Sequence, residues 1–328
     1  PLYSSAASDV YKRQAQGSAC GKQALVAVKR QEHAQVIPGG GRLVFHECKS
    51  AYQRCPFPAG HPVAILECMK TPFDFSQKTV LVTGASMGIG EVFARELARR
   101  GAKVVLIARS RDRLEKLASE LPGAEFLVED LATPGAARRV FDAVSARGLL
   151  PDLLVNNAGF GTHGRFDELA LAMQREAIDL NVGALVELTH LCLPALEQRQ
   201  GGVINIASTA AFQPVPYMAV YAATKAFVLS FSEALWAEYR PRGVRVLALC
   251  PGATDTAFFA RAGEAASFGK KASSEDVVRL GLKAFDDNRA SVVHGCANYL
   301  TALGARIATR EFMARFTARV MRPAAQPA

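Results

Sequence analysis

The chain has no uninterrupted apolar run long enough to cross a bilayer. Stretches such as Val203 to Ile206 and Val244 to Cys250 are broken by polar or charged residues well short of the roughly 18 required, so no transmembrane segment is expected. A basic segment leading into a continuous apolar stretch is also missing at the N-terminus. No secretory signal is read there, and the expected location is cytoplasmic. The seven cysteines are an odd number without a framework of close spacings, which favours reduced thiols over disulfides. His46, Cys48, Cys55, His61 and Cys68 contain no Cys-x-x-Cys knuckle, so no metal is expected. The formal charge of +9 comes from Lys and Arg dispersed among helices and interleaved with Asp and Glu. That pattern describes a solvated basic surface and not a nucleic-acid face. With half of the 328 residues apolar, there is material for a large core.

What is present is a repeat of short β-branched runs and longer helical periods from Lys78 onward, the pattern of successive βαβ units. Strands are expected over Thr79 to Thr83, Lys103 to Ala108, Glu125 to Val128, Leu153 to Asn156, Val203 to Ala207, Arg245 to Leu249 and Ser291 to His294. Between them, helices are expected over Ile89 to Arg100, Arg111 to Leu121, Gly135 to Arg147, Met173 to Gln198, Tyr217 to Tyr239 and Ser274 to Asp287, the last opened by a capping box of Ser273 and Asp276. The implied fold class is α/β: a Rossmann-type doubly wound parallel sheet of about seven strands with helices on both faces, in one domain spanning 69–295. Asn298 to Met321 reads as an amphipathic, arginine-rich helical tail within a C-terminal segment 296–328. Residues 1–68 show no sustained period. Their opening Leu2 to Gln14 resembles a translated sequencing-adapter sequence, so the native start is expected at Met69, with 1–68 as upstream read-through; endogenous peptides from before Met69 would refute this.

Directly after the first expected strand comes Thr83-Gly84-Ala85-Ser86-Met87-Gly88-Ile89-Gly90, running into a helix. Glycines allow backbone angles and close approach that a Cβ forbids, and a helix N-terminus offers unpaired N–H groups to phosphate. Such a turn also suits a plain strand-to-helix connection; its place in the first βα unit is what marks a dinucleotide site. At the end of the second strand, where a carboxylate would bond the ribose of NAD, stands Arg109. A guanidinium there pairs with a 2′-phosphate, so NADP(H) is expected ahead of NAD(H). The bland alternative makes Arg109 a solvated residue opening the next helix.

Three further patches complete a resemblance: Asn156-Asn157-Ala158-Gly159 after the fourth strand, Ser208 after the fifth, and Tyr221-Ala222-Ala223-Thr224-Lys225 on the following helix. In this order with the glycine turn, and with Pro251-Gly252 and Thr256 after the sixth strand, the chain from Met69 to about Val293 resembles the short-chain dehydrogenase/reductase family. The resemblance implies hydride transfer between a nicotinamide and a carbonyl or secondary alcohol. Gly84, Ser86, Gly88, Ile89 and Gly90 would cradle the pyrophosphate, and Asn157, Ala158 and Gly159 would face the adenosine side, with Asp130 bonding the adenine. Pro251, Gly252 and Thr256 would lie on the nicotinamide side. Asn181, Ser208, Tyr221 and Lys225 would form the catalytic set, with Lys225 also on the nicotinamide ribose and Asn181 holding a proton-relay water.

Elementary chemistry agrees with that set. Tyr221 and Lys225 are four apart and share a helix face, so the ammonium is expected to acidify the phenol toward a working acid or base. Taken alone, Tyr and Lys at this spacing occur on many solvated helices, and Ser208-Thr209 is an ordinary cap. His163 stands close enough to the crevice to touch substrate but is expected ahead of that as an exposed loop residue, and Cys192 and Cys250 are expected as inert core thiols. The aromatic loop Thr254 to Lys271 suits an apolar or acyl-like substrate. The tail is expected to cover the cleft, pair subunits or lie on an anionic membrane, in that order, and a homodimer or homotetramer is expected through the helices carrying Asn181 and Tyr221. The rival reading is a non-catalytic NADP(H)-binding regulator on the same fold.

Overall fold

Every strand of the sheet is a short, mostly apolar run. The computed structural model describes residues 72–256, 258 and 271–323. The expectations about residues 1–68, Met69 and most of the loop Thr254 to Lys271, including Phe259 and Phe268, lie outside them. The elements are β1 (Thr79–Thr83), α1 (Gly88–Arg99), β2 (Lys103–Ala108), α2 (Arg111–Glu120), β3 (Glu125–Val128), α3 (Ala136–Ala146), β4 (Leu153–Asn156), α4 (Leu171–Ile178), α5 (Leu185–Gln198), β5 (Gly202–Ile206), α6 (Ala219–Tyr239), β6 (Arg245–Cys250), α7 (Ser274–Asp286), β7 (Ser291–Val293), α8 (Cys296–Ile307) and α9 (Arg310–Val320). All seven strands pair in parallel in the order β3-β2-β1-β4-β5-β6-β7. The order reverses between β1 and β4, and in doubly wound sheets the carboxyl ends at such a switch point form the ligand crevice.

The sheet is buried on both faces because its strands alternate apolar residues to each side. Val80 and Val82 of β1, Val104 and Leu106 of β2, and Leu153 and Val155 of β4 pack with Phe93 and Leu97 of α1 and with Phe285 of α7. Leu81, Val105, Ile107 and Leu154 point the other way, against Val140 and Val144 of α3 and Leu188, Cys192 and Leu196 of α5. The helical run 171–198 is long and apolar enough to cross a membrane by composition alone. Leu185, Leu188, Cys192 and Leu196 of this run are buried in the core, while Leu171 and Ile178 are exposed.

Two helices depart from the sequence expectation. The long helix over Met173 to Gln198 is interrupted by a π-helical turn, Asp179–Ala184, around Asn181. Asn is a weak helix former, and the wider turn aims its amide at neighbours that an α-helix would miss. The helix expected from Tyr217 begins at Ala219, because Tyr217 holds φ at 65°, outside the right-handed helical region. Ser273 caps α7 as expected, accepting from the Asp276 N–H at 3.1 Å.

A buried polar chain locks the site-bearing elements together. Asn156 at the end of β4 donates to Asn205 of β5 (2.9 Å) and Thr189 of α5 (3.0 Å), and Asn205 donates to Ser232 of α6 (2.9 Å). Thr189 and Ser232 in turn donate to the carbonyls of Leu185 and Val228 in their own helices. A satisfied network of this kind specifies one packing of the two helices on the sheet, whereas apolar contacts alone tolerate several.

Candidate active site

The glycine turn after β1 is built for close approach. Gly84 and Gly88 take φ of 63° and 59°, and a Cβ on Gly84 would come within 2.8 Å of Asn157 Nδ2. A Cβ on Gly90 would collide with the same Nδ2 and with the Gly84 carbonyl. The Thr83 hydroxyl, which sequence reasoning passed over, anchors this turn. It accepts from the backbone N–H groups of Asn157 (2.9 Å) and Ala158 (3.0 Å) and donates to the Val155 carbonyl (3.3 Å). Asn157 closes the arrangement by donating to the carbonyls of Thr83 and Gly84. The loop after β4 and the phosphate-type turn are therefore one rigid unit.

Across the crevice stand Ser208, Tyr221 and Lys225. Ser208 follows β5, where its hydroxyl accepts from the Ala210 N–H (3.1 Å) and lies within hydrogen-bond reach of the Tyr221 phenol. Lys225 is buried and donates to the Ile206 carbonyl at 2.7 Å, with its ammonium 5.9 Å from the Tyr221 ring centre. Burial lowers the Lys225 pKa to about 8. It raises that of Tyr221, only partly offset by the Ser208 hydrogen bond. This corrects the expectation that the ammonium acidifies the phenol: with both groups buried, desolvation dominates each of them and outweighs the help of a charge 5.9 Å from the ring centre.

Asn181 is buried, with both ends of its amide engaged. Its Nδ2 donates to the Phe160 carbonyl (2.9 Å) and to Thr224 Oγ1 (3.0 Å), and its Oδ1 accepts from the Phe160 N–H (3.1 Å). It thus braces the loop after β4 against the residue preceding Lys225. Gly159 is required here, since a Cβ would lie 2.8 Å from Asn181 Oδ1.

These residues line one cleft of about 1000 Å³. Its walls include Gly84, Ser86, Gly88, Ile89, Asp130, Asn157, Ala158, Gly159, Pro251, Gly252 and Thr256; Gly90 and Asn181 lie just behind. Arg109 closes one end, its half-exposed guanidinium 3.5 Å from Asp130 and 3.4 Å from Glu176. The other end is apolar and walled by Val215, Met218 and Phe258, with Met313, Phe316 and Met321 of the tail. Gln213 Oε1 is buried in this wall without a hydrogen-bond partner. It is the one side-chain amide between Ser208 and Tyr221, a signal visible in sequence but not used.

His163 is half-buried and bonds the Met321 carbonyl at 2.9 Å, so it anchors the end of the tail and is not the exposed loop residue expected. Cys192 and Cys250 are buried thiols whose pKa burial pushes up to about 12, consistent with inert core residues.

A glycine turn at the switch point of a parallel sheet, facing a serine, a tyrosine and a lysine, defines a dinucleotide-type oxidoreductase cleft. The short chain dehydrogenase family profile matches residues 78–267, more than half of the chain, and the chain belongs to that family. Over 182 residues it is 37% identical to the very-long-chain 3-oxoacyl-CoA reductase of Homo sapiens, a match covering 52% of this chain and 57% of that protein. The match thus spans little more than half the length of such relatives. Among solved structures, a short-chain dehydrogenase from Sphingobium yanoikuyae in complex with NADPH superposes with a TM-score of 0.64 at 35% identity, over 70% of this chain and 94% of that one. A 3-ketoacyl-(acyl-carrier-protein) reductase from Brucella melitensis complexed with NADH gives 0.61 at 26% identity, over 67% and 98%. The chain thus carries the fold and the cleft of a dehydrogenase family, and these two solved members of it hold a nicotinamide dinucleotide.

Proposed function

We propose that the protein is an NADP(H)-dependent carbonyl reductase acting on a ketone or 3-oxoacyl-type substrate. The carrying observation is that Ser208, Tyr221 and Lys225 share one cleft with the glycine turn. The residues fit the dinucleotide: Gly84 and Gly88 line the cleft at positive φ, Gly84 and Gly90 let the turn pack tightly on Asn157, and Arg109 lines the same cleft for a 2′-phosphate. A bound nicotinamide supplies the hydride that reduces the carbonyl carbon. Tyr221 gives its proton to the carbonyl oxygen, and burial keeps that proton in place until it is needed. Ser208 donates a hydrogen bond to the same oxygen as negative charge develops there. Lys225, held by Ile206 and backed by the Asn181–Thr224 brace, places a positive charge near the phenolate left behind.

The apolar end of the cleft supports an acyl or similarly apolar substrate body, as does the name of the human relative. Exposed Ile178 and Phe227, on α4 and α6, support self-association through the helices flanking the site, as a homodimer or homotetramer. A cytoplasmic location belongs to the same reading.

The test is the full chain with NADPH, screened against ketones, aldehydes and 3-oxoacyl thioesters by loss of reduced-nicotinamide absorbance. Tyr221→Phe is expected to slow turnover by about 10²- to 10⁴-fold with NADPH affinity retained. Turnover that survives this change would remove Tyr221 from the chemistry. No turnover in either form, with NADPH still bound, would favour the regulator reading.

A further inference from the structure

The two tail helices present their apolar residues the wrong way round for a soluble protein. At about 100° per residue, α8 turns Ala297, Asn298, Thr301 and Ala302 toward the cleft and places Tyr299, Leu300, Leu303 and Ile307 on the opposite side. Those four are 56%, 65%, 43% and 82% exposed. In α9, Met313, Thr317 and Met321 face inward, while Phe312, Phe316 and Val320 form an adjacent outer stripe, with the Phe312 and Phe316 rings stacked. Of thirteen large apolar residues exposed among the described residues, seven stand on these two helices. Charge accompanies them. Between Cys296 and Pro323 there are five arginines and a single glutamate, and Arg315 and Arg319 flank the outer stripe of α9 on its solvent side.

We propose that α8 and α9 form a docking surface for an anionic phospholipid bilayer. The apolar stripe enters the headgroup–acyl boundary, and the arginines pair with lipid phosphates around it. A second copy of the chain is the weaker occupant, because two such arginine-rich faces repel each other whereas an anionic surface neutralises both. The stripe ends at the cleft, since Phe316 and Val320 are exposed and also line it. On the carbonyl-reductase reading above, a lipid-borne substrate enters beside them.

The experiment is sedimentation of the full chain with vesicles of phosphatidylcholine alone and of its equimolar mixture with phosphatidylglycerol. Binding is expected to the mixed vesicles and to weaken as salt is raised. Arg315→Gln with Arg319→Gln should weaken it by roughly 25-fold, at about fivefold per arginine. The triple change Leu300→Gln, Ile307→Gln and Phe312→Gln, at sites outside the cleft wall, should abolish binding while turnover of a soluble ketone stays unchanged. Three results overturn the proposal: no binding to either vesicle, equal binding to both with no effect of the arginine changes, or triple-variant loss of self-association in lipid-free solution, which makes the occupant a second copy. A lack of turnover in every form, with vesicle binding intact, counts against the reductase reading alone.

Discussion

Arg109→Ala separates the two dinucleotides by an amount that follows from its surroundings. A guanidinium hydrogen-bonded to a phosphate contributes about 1.5–3 kcal/mol. Here it must first loosen its contacts to Asp130 and Glu176. Those pairs are long, at 3.5 and 3.4 Å, and the arginine side chain is 52% exposed, so each is worth about 0–1 kcal/mol. The net preference is about 1–2 kcal/mol, or a rise of about 5- to 30-fold in the Kd for NADPH on truncation. NADH has no phosphate at that ribose, so its Kd should move by less than about twofold on the same scale. Binding is read by fluorescence titration of wild type and variant with each dinucleotide. Glu176→Gln supplies the opposite sign: removing a carboxylate that competes for the guanidinium should tighten NADPH and leave NADH unmoved. If Arg109→Ala weakens both dinucleotides equally, or leaves their ratio unchanged, Arg109 is a solvated helix-opening residue and the cofactor assignment loses its support.

Thr83→Val preserves shape but strips two part-buried N–H groups and one buried carbonyl of their partner, so urea unfolding should show a loss of about 1–3 kcal/mol. Gln213→Met removes an unpartnered buried acceptor; the melting temperature should rise while KM for a 3-oxoacyl thioester also rises, and an unchanged KM would take Gln213 out of substrate recognition. Lys225 titrates near 8 when folded against 10.5 when unfolded, so the unfolded chain binds more protons between those values. The burial penalty is fully present below about pH 8 and lifts as pH rises, so wild type should gain stability relative to Lys225→Met between about pH 8 and 10. A flat difference over that range would mean the ammonium is not desolvated.

Much of this was legible because local chemistry and global fold agree. β1, β2 and β4 fall where their apolar runs place them, since central strands buried on both faces are apolar almost throughout, and the edge strand β3 is found from its short apolar run Phe126 to Val128. That Ser208, Tyr221 and Lys225 share a cleft with the glycine turn was legible because the turn and the Tyr–Lys spacing are local patterns. What escaped depends on tertiary packing. The π turn at Asn181 arises from bonds to Phe160 and Thr224, 21 and 43 residues away. The Thr83 hub is invisible without knowing that β4 lies beside β1. His163 reads as a solvated loop residue until the tail, 158 residues on, is laid over it. Sequence spacing placed an ammonium near the phenol, but spacing cannot report that the ammonium is committed to Ile206.

Burial bears on the protonation state in which the cleft rests. A tyrosine serving as a base near neutrality must ionise before the substrate proton leaves, which requires a charge strong enough to outweigh desolvation. In this cleft the balance runs the other way: the phenol is raised by burial, and the nearest ammonium is itself weakened to about 8. A buried neutral phenol beside a serine hydroxyl is already in the state needed to protonate a carbonyl oxygen during reduction. Once the proton has gone, the phenolate draws on Lys225, and the pairing restores the ammonium's affinity for its own proton. On the proposed reading the charge of the lysine is therefore used after proton transfer, where it stabilises the phenolate. The position of equilibrium between carbonyl and alcohol is set by the reaction and the cofactor ratio, and these side chains set only how the rate in each direction depends on pH.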